Sequence, residues 1–132
     1  MRTTMRGLFV PLLALVLAFA LIATIAEAHA LLVSSSPKNN AVLRASPRQV
    51  VLRFDARIEK PVTKVTLRDA KGAKLKLPAA SRGYPGGPAD QLIIPMPKLK
   101  PGSYRLEYRV LATDGHLTPG LIRFRISGGK LS

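Results

Sequence analysis

Beyond residue 29 the chain alternates. Gln49–Asp55 carries apolar side chains at Val50, Leu52 and Phe54, and Lys64–Arg68 repeats the pattern at Val65 and Leu67. Tyr104–Val110 sets Tyr104, Leu106, Tyr108 and Val110 against Arg105, Glu107 and Arg109, and Leu121–Ile126 sets Ile122, Phe124 and Ile126 against Arg123 and Arg125. A period of two is the spacing of a strand with one buried and one wet face. Such strands are not stable alone; two sheets of them bury their apolar faces against each other in a sandwich. No segment after residue 29 keeps a helical period beyond two turns, so the pattern predicts an all-β domain. Turn residues at 37–40, 46–47, 69–72, 83–88 and 100–102 separate the runs. Residues 78–90 read as a long loop, and Gln91–Ile94 as a short strand ending at Pro95. In Leu99-Lys100-Pro101-Gly102-Ser103-Tyr104 a tyrosine enters a strand directly after a tight corner. A tyrosine so placed can hydrogen-bond back across the corner, as in immunoglobulin-like sandwiches.

The first 28 residues follow another rule. Arg2 and Arg6 precede an uncharged stretch from Gly7 to Ala26, rich in Leu, Ala, Val and Phe, which closes on Ala26-Glu27-Ala28. Positive start, apolar middle and small-x-small end are the three parts of a secretory signal peptide. The alternative is an uncleaved anchor, since an apolar run of about 20 residues is long enough to span a bilayer. The small-x-small site falls where the polar chain begins, which favours cleavage after Ala28. The expected organisation is a signal peptide over 1–28 and one exported domain over 29–132, with His29 as the new amino terminus.

A formal net charge of +14 suggests a nucleic-acid binder at first sight. The exported domain keeps nineteen of the twenty-one basic residues and six of the seven acidic ones, a net +13. An exported protein does not meet chromosomal DNA, and an aromatic content of 5% offers no stacking platform for single strands. No nucleic-acid partner is therefore expected. The lack of cysteine excludes disulfides, thiolate nucleophiles, zinc–thiolate sites and iron–sulfur clusters. None of the domain's serines lies in a nucleophile elbow, no glycine-rich loop opens a helix, and the acidic residues do not pair for sugar hydrolysis. Arg105, Arg109, Arg123 and Arg125 point outward from two strands expected to be neighbours. This basic stripe either docks an anionic membrane surface or keeps the protein soluble.

The domain has two histidines, both in special positions. As residue one, His29 would offer its α-amine and imidazole Nδ1 to one ion in a six-membered chelate. With ordinary pKa values of about 8 and 6.5, both groups lose their protons readily to a metal near neutral pH. His116 lies in Thr113-Asp114-Gly115-His116, and in an extended segment Asp114 and His116 would point to one side. An N-terminal strand lying beside the last strands would bring residue 29 to this loop. Three nitrogens and one oxygen suit a tetragonal Cu(II) ion. Met96, between two prolines, is the only methionine of the domain, so a soft Cu(I) site is not supported. Each histidine alone has a plainer reading, a chance terminus or a turn with a surface ring. Together they make metal binding the better one.

The sequence resembles the CopC family of periplasmic copper-binding proteins. The resemblance runs through His29-Ala30-Leu31-Leu32 and Ser36-Pro37, then Leu43-x3-Pro47-x2-Val50-x-Leu52-x-Phe54 and Val65-x-Leu67-x-Asp69-x2-Gly72. It closes with Leu99-x-Pro101-Gly102-x-Tyr104-x-Leu106-x-Tyr108-x-Val110-x3-Asp114-Gly115-His116 and Gly120-x3-Phe124. It implies a Greek-key β-sandwich or barrel of about seven strands, immunoglobulin-like or cupredoxin-like. It implies Cu(II) held by His29, Asp114 and His116, a role in copper homeostasis or resistance, and often an inner-membrane CopD-type transport partner. No catalytic activity is implied. The chain departs from the family where Phe54-Asp55-Ala56-Arg57 stands in place of Phe-Ser-Glu-Pro, and in lacking a methionine-rich loop around 78–97. Two other function classes fit the same features. One is a metal-free envelope module with a basic docking face. The other is a histidine-brace copper oxidase, in which Asp114 would fill the equatorial position that oxygen needs.

Overall fold

The computed structural model describes residues 6–22 and 29–128. Helix α1 spans Arg6–Ile22, 17 residues. Eight strands follow: β1 (Leu32–Ser36), β2 (Ala41–Leu43), β3 (Gln49–Phe54), β4 (Lys64–Arg68), β5 (Lys74–Leu75), β6 (Gln91–Pro95), β7 (Gly102–Leu111) and β8 (Leu117–Ile126). They form a three-stranded sheet, β1-β3-β6, and a five-stranded sheet, β2-β8-β7-β4-β5. The two-sheet architecture is the expected one, with eight strands where about seven were anticipated. The short β2 and β5 carry too few residues to alternate, which is why the periodicity passes over them.

One expectation is corrected. β1 does not lie beside the last strands but pairs antiparallel with β3 in the smaller sheet, Leu32 opposite Phe54. The strand beside β8 is β2, and it runs parallel. A corner at Asn39–Asn40 seats it: the Arg123 amide donates to Asn39 Oδ1 at 2.8 Å, and the Asn40 amide donates to the Arg123 carbonyl at 2.6 Å. Asn40 has a φ of 66°, which asparagine tolerates better than most residues.

The alternating apolar residues meet between the sheets. Val50, Leu52, Leu67, Leu106 and Val110 have no exposed surface, and Phe54 and Ile122 almost none. Burying each such side chain contributes about 1.5–3 kcal/mol before entropy is counted. Phe54 of the small sheet meets Tyr108 of the large one edge to face, with centroids 5.7 Å apart. Tyr108 also fixes the pairing of β7 with β8. It sits opposite Gly120, where an added Cβ would lie 2.0 Å from the tyrosine Cζ, so only glycine fits. The tyrosine corner forms as expected: the Tyr104 hydroxyl donates to the Lys100 carbonyl at 2.6 Å. Its ring stacks on Phe124.

The 78–90 loop contains one short 3-10 turn, Ala80–Arg82. Lys60 holds it down. Its buried ammonium donates to the carbonyls of Gly86 at 2.6 Å and Gly87 at 2.9 Å. Desolvation lowers the pKa of this ammonium, and the nearby Asp90 charge opposes the shift. Met96 is buried in the core. Among the described side chains the core is drawn from Ala30 to Ile126, with none from α1. Among the described residues no helix is long and apolar enough to cross a membrane. The Ala26-x-Ala28 cleavage site lies outside the described residues.

Candidate metal centre

β7 and β8 are joined by a short turn that determines where Asp114 and His116 go. The Gly115 amide donates to the Ala112 carbonyl at 2.9 Å, and the Ala112 amide donates to the His116 carbonyl at 2.9 Å. Gly115 has a φ of 92°, in the left-handed region where a Cβ is strained. This is the geometry of a three-residue hairpin loop, a tight turn followed by a left-handed glycine. Within it Asp114 folds back on His116. Its Oδ1 accepts the His116 backbone amide at 3.0 Å, and its Oδ2 lies 3.1 Å from His116 Nδ1. The sequence argument expected the pair to meet because residues two apart share one side of an extended segment. They meet instead because the carboxylate caps a turn, a local arrangement that aspartate favours.

The same contacts set the charge of Asp114. The hydrogen bond from the His116 amide is the main reason its pKa is held below the ordinary value. Desolvation works against the shift, and the His116 and His29 rings add to it. The carboxylate therefore remains ionised to lower pH than a free aspartate.

His29 arrives from the other sheet. Ala30 is completely buried, and the next residue is tied by two hydrogen bonds. The Leu31 amide donates to Asp55 Oδ1 at 2.7 Å, and the Asp55 amide donates to the Leu31 carbonyl at 2.9 Å. Two residues on, the hairpin turn is held by the same stretch: the Thr113 amide donates to the Arg57 carbonyl at 3.3 Å, and Ile58 bridges to Ala112. Residues 55–58 thus anchor both halves of the site. As a result the His29 and His116 rings approach edge to face, centroids 5.2 Å apart and planes at 72°. His29 is half-buried, whereas Asp114 and His116 are exposed at the end of the sandwich.

The structure therefore brings the His29 ring to His116 and the Asp114 carboxylate to His116, by a route different from the one expected. Among the described residues, no three His, Asp or Glu side chains are gathered closely enough to hold an ion as they stand. Asp114 directs both carboxylate oxygens at His116. The further donor that the sequence argument calls for, the α-amine of residue 29, would exist only in a chain cleaved after Ala28. The supporting residue that sequence reasoning missed is Asp55. Its only signal was a carboxylate directly after an alternating strand, and nothing local marks Leu31 as its partner.

The comparisons with known proteins bear on the sandwich and its family. The CopC domain matches residues 32–127, which takes in all eight strands and the hairpin turn. The chain is 32% identical over 100 residues to protein YobA of Escherichia coli (strain K12), covering 75% of this chain and 79% of that one. It is 32% identical over 105 residues to copper resistance protein C of Xanthomonas campestris pv. juglandis, covering 76% and 82%. Among solved structures, CopC from Methylosinus trichosporium OB3b superposes with a TM-score of 0.65 at 27% identity, over 79% of this chain and 99% of that one. With its sandwich matched from the first strand to the last, this chain belongs to the CopC family.

Proposed function

We propose that the chain is a periplasmic Cu(II)-binding protein that sequesters or delivers copper, and that it binds the ion as cargo without turning over a substrate. One observation carries this reading: two histidines from opposite sheets meet ring to ring, with a carboxylate held ionised beside them. Two imidazoles, one carboxylate and the α-amine released by cleavage after Ala28 form a hard-to-borderline nitrogen and oxygen set. That chemistry fits Cu(II) and lacks the thiolates and thioethers that select Cu(I). His29 would supply two of the nitrogens. Asp114 engages Nδ1 of His116, which leaves Nε2 as the nitrogen to face the ion, a common second role for a carboxylate beside a metal-binding histidine. Relatives called copper resistance protein C support copper as the metal.

The partners belong to the same proposal. An inner-membrane transporter of the CopD type would receive or supply the ion, and the basic outer face of β7 and β8 would dock an anionic membrane surface. Because Arg105 and Arg123 stand directly opposite each other, that face favours docking over a merely solvated surface.

The test is a Cu(II) titration of the exported chain, whose first residue is checked by N-terminal sequencing. We expect one tight equivalent on a chain starting at His29, and a loss of about 100-fold or more in His116→Ala, since a direct ligand matters at least as much as an outer-shell partner. Unaltered binding in His116→Ala, or an exported chain starting elsewhere than His29, would overturn the assignment.

A further inference from the structure

The outer face of the five-stranded sheet carries an arrangement that copper binding does not use. Register places Lys74 opposite Arg68, Arg68 opposite Arg105, and Arg105 opposite Arg123. Four cations therefore form one transverse row across β5, β4, β7 and β8. Side chains directly opposite on neighbouring strands have Cβ atoms about 5 Å apart, and like charges there are destabilising. A single carboxylate lies in the row's middle: Glu107 reaches Arg68 at 3.3 Å and Arg105 at 3.1 Å. Among the described residues Arg123, Arg125, Lys71 and Lys74 make no ion pair.

The Arg105–Arg123 end of the row faces a groove of about 590 Å³ between the 69–72 turn and β2. Its walls and floor include Asn40, Lys71, Ser103, Arg105, Arg123 and Arg125. Asp69 also lines it, but Oδ1 of that carboxylate is occupied by the Lys71 and Ala73 amides, both at 2.9 Å. Beneath the floor, Tyr104 and Phe124 are buried and stacked, and the tyrosine hydroxyl is fixed to Lys100, so the strands bearing the arginines are held firmly. The volume falls within the usual range for a small-ligand site.

We propose that this groove binds a phosphate-bearing anion, with the Arg105 and Arg123 guanidinium groups as its principal donors and Lys71 and Arg125 at its edges. A guanidinium presents a planar fork that matches phosphate oxygens two at a time. Two forks side by side on adjacent strands complement one anion with three oxygens better than a carboxylate; Glu107 meets Arg105 at Nε, and Arg123 makes no ion pair among the described residues. The ligand is a lipid headgroup phosphate or a free phosphate ester; the chemistry is shared. The inference rests on the anion-docking reading of this face and narrows it to one groove and one class of group. It also gives the domain's positive charge a use, since such charge works against capture of a cation at the other end.

The test uses the exported chain, inorganic pyrophosphate as probe, and amide chemical-shift mapping. Two variants of equal charge are compared: Arg105→Gln/Arg123→Gln in the groove, and Arg48→Gln/Lys98→Gln on exposed residues outside it. Native protein should show saturable binding with shifts centred on residues 40, 71, 103 and 123–125. Losing two charge-assisted contacts should weaken it about tenfold or more in the groove variant. The control should lose about twofold or less, the size of a screened surface effect. Vesicles of phosphatidylglycerol and of phosphatidylcholine distinguish the sources. Binding to the anionic vesicles that pyrophosphate displaces assigns a lipid headgroup, and pyrophosphate binding without vesicle binding assigns a soluble ester. Absence of saturable pyrophosphate binding overturns the groove. So does equal weakening in the two variants; if anionic vesicle binding then persists in both, the docking reading stands while the groove falls.

Discussion

At its closed end the β7–β8 hairpin carries Asp114 and His116 in a turn whose internal contacts span only a few residues. Along the open half of the same hairpin it carries Arg105, Arg123 and Arg125, which meet only because distant residues pair in register. The closed end is favourable by its own chemistry, since each carboxylate oxygen has a donor and the glycine sits where glycine belongs. The open half is not, because it sets like charges opposite one another and neutralises only part of them. Stability therefore explains the first and argues against the second, and an arrangement that costs stability is a stronger sign of binding than one that contributes to it.

The largest expected effect removes both ends at once. Gly120→Ala would drive a methyl into the Tyr108 ring and shift the strand register on which the cation row depends. A loss of about 3 kcal/mol is expected, the upper range for overpacking, read as a fall in the urea midpoint. Copper and pyrophosphate binding should weaken together. If one survived intact, the two ends would not share the hairpin as a common frame.

Asp55→Ala separates them. It removes the acceptor of the Leu31 amide and loosens the segment leading to His29. We expect a stability loss of about 1 kcal/mol and a roughly tenfold weaker Cu(II) affinity, with pyrophosphate binding unchanged. Equal Cu(II) affinity would show that Asp55 plays no part in positioning the terminus.

Arg123→Gln tests the cost of the row in the opposite direction. Relief of the like-charge pair should raise stability by about 0.5 kcal/mol at low salt, and the gain should shrink as salt is added. A loss of stability would mean that the row is not under repulsion.

The smallest effect belongs to the shared middle of the molecule. Burial raises the pKa values of Tyr84 and Tyr108 above their ordinary 10.0. Below about pH 10 both folded and unfolded chains hold these protons. Above it the unfolded chain releases them first, so stability should fall as pH rises. Lys60, whose pKa is lowered, acts with the opposite sign in the neighbouring window. Tyr108→Phe should flatten the alkaline fall in midpoint, and an unchanged slope would count against a buried Tyr108 hydroxyl as its source.

Much of this was legible in the sequence, for identifiable reasons. Val50, Leu52, Phe54 and their counterparts in β7 and β8 alternate strictly, so the buried faces follow from spacing alone. Tyr104 after Lys100-Pro101-Gly102 announced its corner, because the contact spans four residues. The DGH segment marked the candidate metal end, although the segment forms a turn and not the expected extended geometry. What stayed hidden depends on pairing between remote segments. No local pattern says that β1 joins β3, that β2 lies beside β8, or that Asp55 takes the Leu31 amide. The basic stripe was anticipated on Arg105, Arg109, Arg123 and Arg125. Register puts Arg109 opposite Pro119, off the row, and brings in Arg68 and Lys74, which only the β4 and β5 pairings reveal.

Ala30 is sealed in the core, so a single residue separates the fixed body of the domain from its proposed first nitrogen. There is no slack in which to hide an error of length. One leftover residue would turn the amine back into an amide, and one residue too few would delete the ring. The export machinery would thus act as the gauge of the site, cutting to within one residue. A recombinant chain begun with an extra methionine would fold into the same sandwich and still lack one of its four proposed donors, and with it the chelate ring at His29.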